Sequence, residues 1–111
     1  MPQDMPTTDT QALEAHFKSI EASAQAEVCS AHIGGFAEKF EKLFRAWREA
    51  NSEALSKGAL LAEAKGWNRT DGSSLQSFAR LEAQVLAEIP ADDRQRRCDE
   101  LLESFIESKA M

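Results

Sequence analysis

The fold is decided by residues 36–47, FAEKFEKLFRAW, which hold the clearest periodic pattern in the chain. The large apolar side chains recur at steps of three or four residues, which places them on one continuous face of an α-helix. They are Phe36, Phe40, Leu43, Phe44 and Trp47. The pattern predicts a helix that begins after Gly34-Gly35 and runs to about Lys65, either unbroken or with a bend near Gly58. Gly66 suits the position that ends such a helix.

A second helical pattern precedes this segment. Thr8 or Asp9 can cap its first turn, because short side-chain oxygens accept hydrogen bonds from free backbone N–H groups. The apolar seam of this helix then follows helical spacing, through Leu13, Phe17, Ile20, Ala24, Val28 and Ala31. Residues 1–8 are polar, contain two prolines and lack periodicity, so we interpret them as a flexible lead.

Two more helices follow the central segment. Residues 68–74 are typical of a loop, and Ser73 with Gln76 forms a capping-box pattern. The next helix ends before Pro90, and the last begins near Asp92 and Asp93, whose charges favour a helix N-terminus. The sequence therefore predicts one all-α domain over residues 9–111, built as a small four-helix bundle or a helical array.

Composition restricts the class of function. The chain has 111 residues and a net charge of −6, which argues against attraction to nucleic acid or to anionic membranes. No apolar run approaches the 18 residues or more of a membrane-spanning helix, and no leader-like pattern precedes the first helix. We therefore expect a cytoplasmic protein, in which Cys29 and Cys98 are buried and reduced thiols.

A metal site is the first chemical alternative. Cys29 and His32 are three residues apart on one helix face, and Cys98 and His16 are the remaining soft ligands in the chain. His16 lies about 140° around the helix from Cys29, so the first helix offers two ligands and not three. Because the chain also lacks a recognisable catalytic motif, we expect a non-enzymatic protein without metal or cofactor.

DNA binding is the second alternative. Ala62, Gly66 and the apolar Trp67 resemble the first half of a helix-turn-helix motif. The helix starting near Ser74 would then read DNA with polar side chains, namely Ser73, Ser74, Gln76, Ser77 and Arg80. The seven residues 68–74 exceed the three or four of the usual turn, and the acidic charge is unfavourable. We therefore rank a protein partner above a nucleic acid.

The densest basic cluster has a simpler interpretation than phosphate binding. Acidic residues lie four positions from these arginines, where opposite charges meet on a helix surface. The spacing predicts a solvated face with the pairs Asp92–Arg96, Asp93–Arg97 and Arg96–Glu100, next to Arg94.

The leading hypothesis is a small interaction protein, acting as an adaptor, regulator or inhibitor of a protein partner or through self-association. The predicted partner-binding residues are Trp67, Arg69, Phe36, Phe40 and Trp47. Trp67 is the principal candidate, because it follows the last regular position of its helix beside a polar loop. Its ring either folds back as a lid on the core or points outward as an interface anchor.

Overall fold

The computed structural model describes residues 8–67 and 75–108, and these residues form five helices without any strand. The predicted all-α fold is therefore confirmed. The helices are α1 Asp9–His32, α2 Phe36–Ala50, α3 Ser52–Ala64, α4 Leu75–Glu88 and α5 Ala91–Ser108. Residues 1–7 of the predicted lead 1–8 and the predicted capping residue Ser73 lie outside the described residues.

The helix predicted to run from residue 36 to about 65 is two helices, and the break lies at Asn51 instead of near Gly58. The backbone N–H and the side-chain amide of Asn51 both donate to the Trp47 carbonyl, at 3.0 and 2.8 Å. A short amide that competes for backbone groups in this way ends a helix. The two helices pack differently on either side of the break, since α3 packs mainly on α1 whereas α2 packs on both α1 and α5.

Local signals at the other helix ends were predicted correctly. Thr8 caps α1 in a capping box with Gln11, with both hydrogen bonds at 3.1 Å. Gly35 separates α1 from α2 in the left-handed conformation, at φ 81°. Gly66 takes the same conformation after α3, where the N–H of Trp67 donates to the Ala62 carbonyl at 2.8 Å. This is the Schellman arrangement that closes a helix C-terminus.

Helix α1 is the centre of the fold and contacts each of the other four helices. Its most deeply buried residues are small, namely Ala12, Ala22, Ala26 and Cys29. The residues that face it from α3 and α4 are also small, including Gly58, Ala62, Ala79 and Ala83. The predicted apolar seam of α1 is displaced from this line. Its first five residues are half-buried, namely Leu13, Phe17, Ile20, Ala24 and Val28, and its last residue, Ala31, is exposed.

An aromatic cluster joins α2 to α5. Phe105 is fully buried, and its ring meets the rings of Phe40, Phe44 and Trp47 edge to face, with centroids 5.2 to 5.6 Å apart. Phe36 stacks on Phe40 at 5.9 Å and is also buried. Three of the predicted partner-binding residues belong to this buried cluster. Phe36, Phe40 and Trp47 lie in the core, because the aromatic face of α2 is covered by α5.

The two cysteines form a disulfide between α1 and α5, which corrects the expectation of reduced thiols. Cys29 and Cys98 are both fully buried, as predicted, and their Cα atoms are 5.8 Å apart. They are 69 residues apart in the chain, so sequence spacing alone gave no sign of the pairing. The described part of the chain contains no free cysteine.

Arg94 has a structural role at the turn between α4 and α5. Its guanidinium donates to the carbonyl oxygens of Leu86, Ala87 and Ile89, at 3.1, 3.0 and 2.9 Å. It therefore satisfies backbone acceptors that the end of α4 leaves free, and it places a positive charge at the negative end of the helix. A guanidinium nitrogen of Arg96 lies 3.2 Å from a carboxylate oxygen of Asp93. Arg96 therefore pairs with the residue that follows its predicted partner, Asp92.

We expect Arg94→Met to lower the free energy of unfolding by about 2 kcal/mol, since a charge-assisted cap on three acceptors is lost. Arg94→Lys recovers little of it, because an ammonium group cannot reach three carbonyls with the geometry of a guanidinium. Urea denaturation measures both changes. Arg97→Met is the matched control, because Arg97 is exposed on the same helix. Equal effects of the Met substitutions at 94 and 97 would refute the capping role.

The packing leaves one side of α1 uncovered. Helices α3 and α4 both pack against α1, but they do not contact each other within the described residues. The molecule is correspondingly flat, with extents of 44 × 36 × 18 Å, about two helix layers thick. No helix in the described ranges is both long and apolar enough to cross a membrane.

Candidate protein-binding surfaces

Three of the exposed large apolar residues of the described chain lie on α4. Phe78, Leu81 and Val85 are 51%, 62% and 54% exposed, respectively. Their spacing of three and four residues places them on one face, which we call the outer stripe. The opposite face of α4 is buried through Ala79, Ala83 and Leu86. Helix α4 is thus apolar on two faces, and only one of them is covered.

The outer stripe begins beside α1. The rings of Phe78 and Phe17 have centroids 6.0 Å apart, and Phe17 is half-buried. The remaining two stripe residues extend away from this contact toward the C-terminal end of α4. Exposed apolar residues scattered singly are normal on a protein surface, whereas three on one helical face are characteristic of an interaction site.

Two carboxyl groups meet between α1 and α4. The Glu82 side chain is hydrogen-bonded to Glu21, which raises the pKa of Glu21 to about 7; burial and the charge of Glu82 contribute further. One oxygen of Glu82, Oε1, is buried and lacks a hydrogen-bond partner among the described residues. Because two carboxyl groups bond to each other only when one holds a proton, this contact depends on pH.

We expect the free energy of unfolding to fall as the pH rises from about 4.5 to about 7. Within that window the folded protein keeps a proton on Glu21 that the unfolded chain has released, so deprotonation favours unfolding. Glu21→Gln keeps a hydrogen-bond donor without the charge. Allowing for solvent screening, we expect it to stabilise the fold by about 1 kcal/mol at pH 8 and to have little effect at pH 4.

Thermal melts across this pH range measure the effect, with Glu14→Gln on the exposed side of α1 as the control. A wild-type melting temperature that rises steadily from pH 5 to pH 8, unaltered by Glu21→Gln, would contradict the shared-proton contact.

A second surface lies on the other side of α4, where α1 is uncovered; we call it the open groove. Its floor is α1, with Ile20, Ala24 and Val28 half-buried along it. One wall is α4 and the other is formed by α2 and α3, and the volume enclosed is about 760 Å³. The lining residues are His16, Ser19, Ile20, Ser23, Ala24, Glu27, Val28, Phe44, Arg48, Leu55, Gln76, Ala79, Arg80, Ala83, Gln84 and Ala87.

Trp67, the predicted interface anchor, is neither buried as a lid on the core nor fully exposed. The residue is 39% exposed, and the Lys65 ammonium lies 5.6 Å from the centroid of its ring. Its backbone is fixed on both sides, since its N–H donates to Ala62 and its carbonyl accepts from Leu75 at 2.9 Å. Arg69, the other predicted contact residue at this site, lies outside the described residues.

The arrangement required by the DNA-binding alternative does not form in the described structure. A helix-turn-helix unit needs two successive helices packed against each other, whereas α3 and α4 are separated by the open groove. Gln76 and Arg80, two of the predicted base-reading residues, line that groove. Ser74 lies outside the described residues.

The residues considered for the alternative of a metal site do not form a cluster in the described structure. Cys29 and Cys98 are bonded to each other, so neither offers a thiolate to a metal or to a substrate. His32 is exposed at the last turn of α1. Among the described residues, no group of three or more histidine, cysteine, aspartate or glutamate side chains could hold a metal ion.

The sequence contained a signal for the outer stripe that periodicity alone did not resolve. Phe78, Leu81 and Val85 follow helical spacing together with Leu75, Leu86 and Ile89, so the sequence pattern shows them as one apolar face. The residues that indicate the buried face of α4 are Ala79 and Ala83. A line of alanines lets α1 approach closely, so the larger side chains of the stripe stay outside this contact. A helix apolar on two faces needs two partners.

Comparison of the chain with protein-family models, with curated proteins and with solved structures finds no match.

Proposed function

We propose that this chain is a non-enzymatic helical interaction protein, an adaptor, regulator or inhibitor that binds a protein partner through the outer stripe. The observation that carries the proposal is the exposure of Phe78, Leu81 and Val85 on one face of α4. Complete burial of such a side chain contributes about 1.5–3 kcal/mol, so burying the exposed half of each against a partner contributes about 1 kcal/mol. Their spacing over two turns suits a contact with another helix.

The position of the stripe supports this use. Its residues belong to a helix whose opposite face is fixed on α1 by buried alanines, so the stripe is presented by a supported element. The disulfide and the aromatic cluster lie elsewhere in the fold and do not involve it. Stripe residues can therefore be changed without disturbing the core, which makes the proposal testable.

The location of the protein belongs to the same proposal. A buried disulfide between α1 and α5 is typical of proteins in oxidising compartments. It weighs against the cytoplasmic location expected from the sequence, so we place the proposed interaction in an oxidising compartment.

The first test is self-association, because a second copy of the chain is the simplest partner. Sedimentation velocity compares the wild type with Leu81→Ser/Val85→Ser across micromolar to millimolar concentrations. The matched control is Leu60→Ser, which changes an equally exposed leucine on α3. If the stripe mediates self-association, the double variant weakens it tenfold or more and the control does not.

The second test covers a different protein as partner. The wild type, the double variant and the Leu60→Ser control are each immobilised and exposed to a lysate. A lysate protein that the wild type and the control retain, but the double variant does not, is then purified. Its dissociation constant should rise at least tenfold with the double variant. The proposal is refuted if the wild type is monomeric and if the wild type, the double variant and the control all retain the same lysate proteins.

Trp67 remains a proposed second contact, since its ring is partly exposed near the start of α4. Trp67→Ala separates the alternatives. A melting temperature lowered by several degrees identifies the ring as a lid on the core, whereas unchanged stability with weaker self-association or partner capture identifies an interface anchor.

A further inference from the structure

We propose that the open groove is a second, independent binding site, and that it takes an amphipathic helix of about three turns with acidic side chains along both flanks. The site goes beyond the outer stripe, because the two surfaces lie on different sides of α4.

The length of the groove fits a short helix. Its floor follows α1 from His16 to Val28, a distance of about 18 Å at 1.5 Å per residue. A helix of about 12 residues lying along α1 has the same length. Because α4 contacts neither α2 nor α3 among the described residues, the groove is open along its length. An added helix would complete the covering of α1.

The walls allow close approach of a helix backbone. Ala79, Ala83 and Ala87 line the α4 wall at four-residue spacing, and Ser19 and Ser23 contribute small side chains from α1. Small residues let helix axes approach, so the larger apolar side chains of the occupant can reach Ile20 and Val28 on the floor. Such an apolar centre within a polar margin is the usual anatomy of a protein interface.

The charge of the groove selects an acidic occupant. Arg48 and Arg80 lie on opposite walls and are exposed, and Glu27 is the one acidic residue in the lining. The chain as a whole carries a net charge of −6, so a groove with two arginines is opposite in sign to the rest of the molecule. Arg48 lies 5.6 Å from the ring of Phe44, which supports its guanidinium at the wall.

The position of the arginines also favours a helix over a single-chain lipid. An occupant that neutralises both walls must present acidic groups on both of its sides. A helix with glutamates on two flanks does so, whereas a fatty acid has one carboxylate at one end. Half of the lining is polar, which suits the flanks of a peptide helix more than an alkyl chain.

The test uses two labelled peptides of about 14 residues, with leucines on one helical face and either glutamates or lysines on both flanks. Fluorescence anisotropy measures their binding to the full chain. We expect the glutamate peptide to bind and the lysine peptide to bind at least tenfold more weakly. Arg48→Glu/Arg80→Glu should reverse this preference, because both charges lie at the polar margin of the site.

Two further variants separate the groove from the stripe. Ser23→Trp places a large ring on the floor of the groove, where Ser23 is exposed. We expect this variant to bind the glutamate peptide at least tenfold more weakly, while circular dichroism shows an intact fold. Leu81→Ser/Val85→Ser should bind that peptide as the wild type does, so failure of the stripe proposal leaves this one standing.

The proposal is overturned if the glutamate peptide does not bind at millimolar concentration, or if its binding is unaffected by the arginine reversals and by Ser23→Trp. It is also overturned if sodium dodecanoate, but not the peptide, binds in a manner that requires Arg48 and Arg80, since the groove is then a site for a lipid carboxylate.

Discussion

We expect Gly58→Ala to destabilise the protein by about 3 kcal/mol or more, although it adds only a single methyl group. Gly58 is buried in α3, where a Cβ atom would overlap the Ala12 carbonyl and lie 2.8 Å from the Cβ of His16. The obstacle is the backbone of Ala12 in the first turn of α1, which cannot rotate away as a side chain could. In an open helix the same change would be stabilising by about 0.5–1 kcal/mol, which makes the expected sign diagnostic.

Urea denaturation and thermal melts measure this effect, and Gly34→Ala is the control because no atom lies within 4 Å of its added Cβ. The control should change the free energy of unfolding by less than about 0.5 kcal/mol. Adding Ala12→Gly to Gly58→Ala should not rescue stability, since the overlap involves the carbonyl of residue 12. A stabilised Gly58→Ala protein would show that α3 does not pack this closely on α1.

Reduction of the Cys29–Cys98 disulfide is expected to cost about 4 kcal/mol, because the bond closes a loop across 69 residues and so restricts the unfolded chain. For a chain of this size, such a loss corresponds to a melting temperature lower by roughly 15 °C or more. Thermal melts with and without dithiothreitol measure the difference.

The double variant Cys29→Ala/Cys98→Ala should melt near the reduced protein and should not respond to dithiothreitol. Iodoacetamide added to the unreduced, guanidinium-denatured wild type should leave its mass unchanged, since the described chain has no free thiol. Two alkylated cysteines in that experiment would show that the bond is absent.

The helix ends with local signals were predictable from the sequence. The Thr8 capping box, the break at Gly35 and the end of α3 at Gly66 each depend on a few neighbouring residues. The turn at Pro90 is similarly local, since α4 ends at Glu88 and α5 begins at Ala91.

The features that were missed depend on residues far apart in sequence. Asn51 ends α2, which packs on both α1 and α5, before α3, which packs mainly on α1, and their shared apolar pattern gave no sign of that division. The pairing of Cys29 with Cys98 requires the C-terminal part of α1 to meet α5.

The candidate surfaces were missed for a related reason. Helix α4 carries apolar residues on two faces, and only the position of α1 decides that the alanine face is covered and that Leu81 is exposed. The open groove is likewise a gap between helices, and a gap has no sequence pattern of its own. Trp67 alone among the predicted contact residues remains partly exposed in the described structure.

The disulfide also has a topological consequence. Helices α2, α3 and α4 all lie between the two cysteines, so residues 29–98 form a covalent ring from which most of α1 and α5 extend as two arms. A single proteolytic cut between α3 and α4 would open the ring without releasing either piece. The products would migrate as one species under non-reducing conditions and as two after reduction. Both walls of the open groove would therefore stay attached to α1 after such a cut.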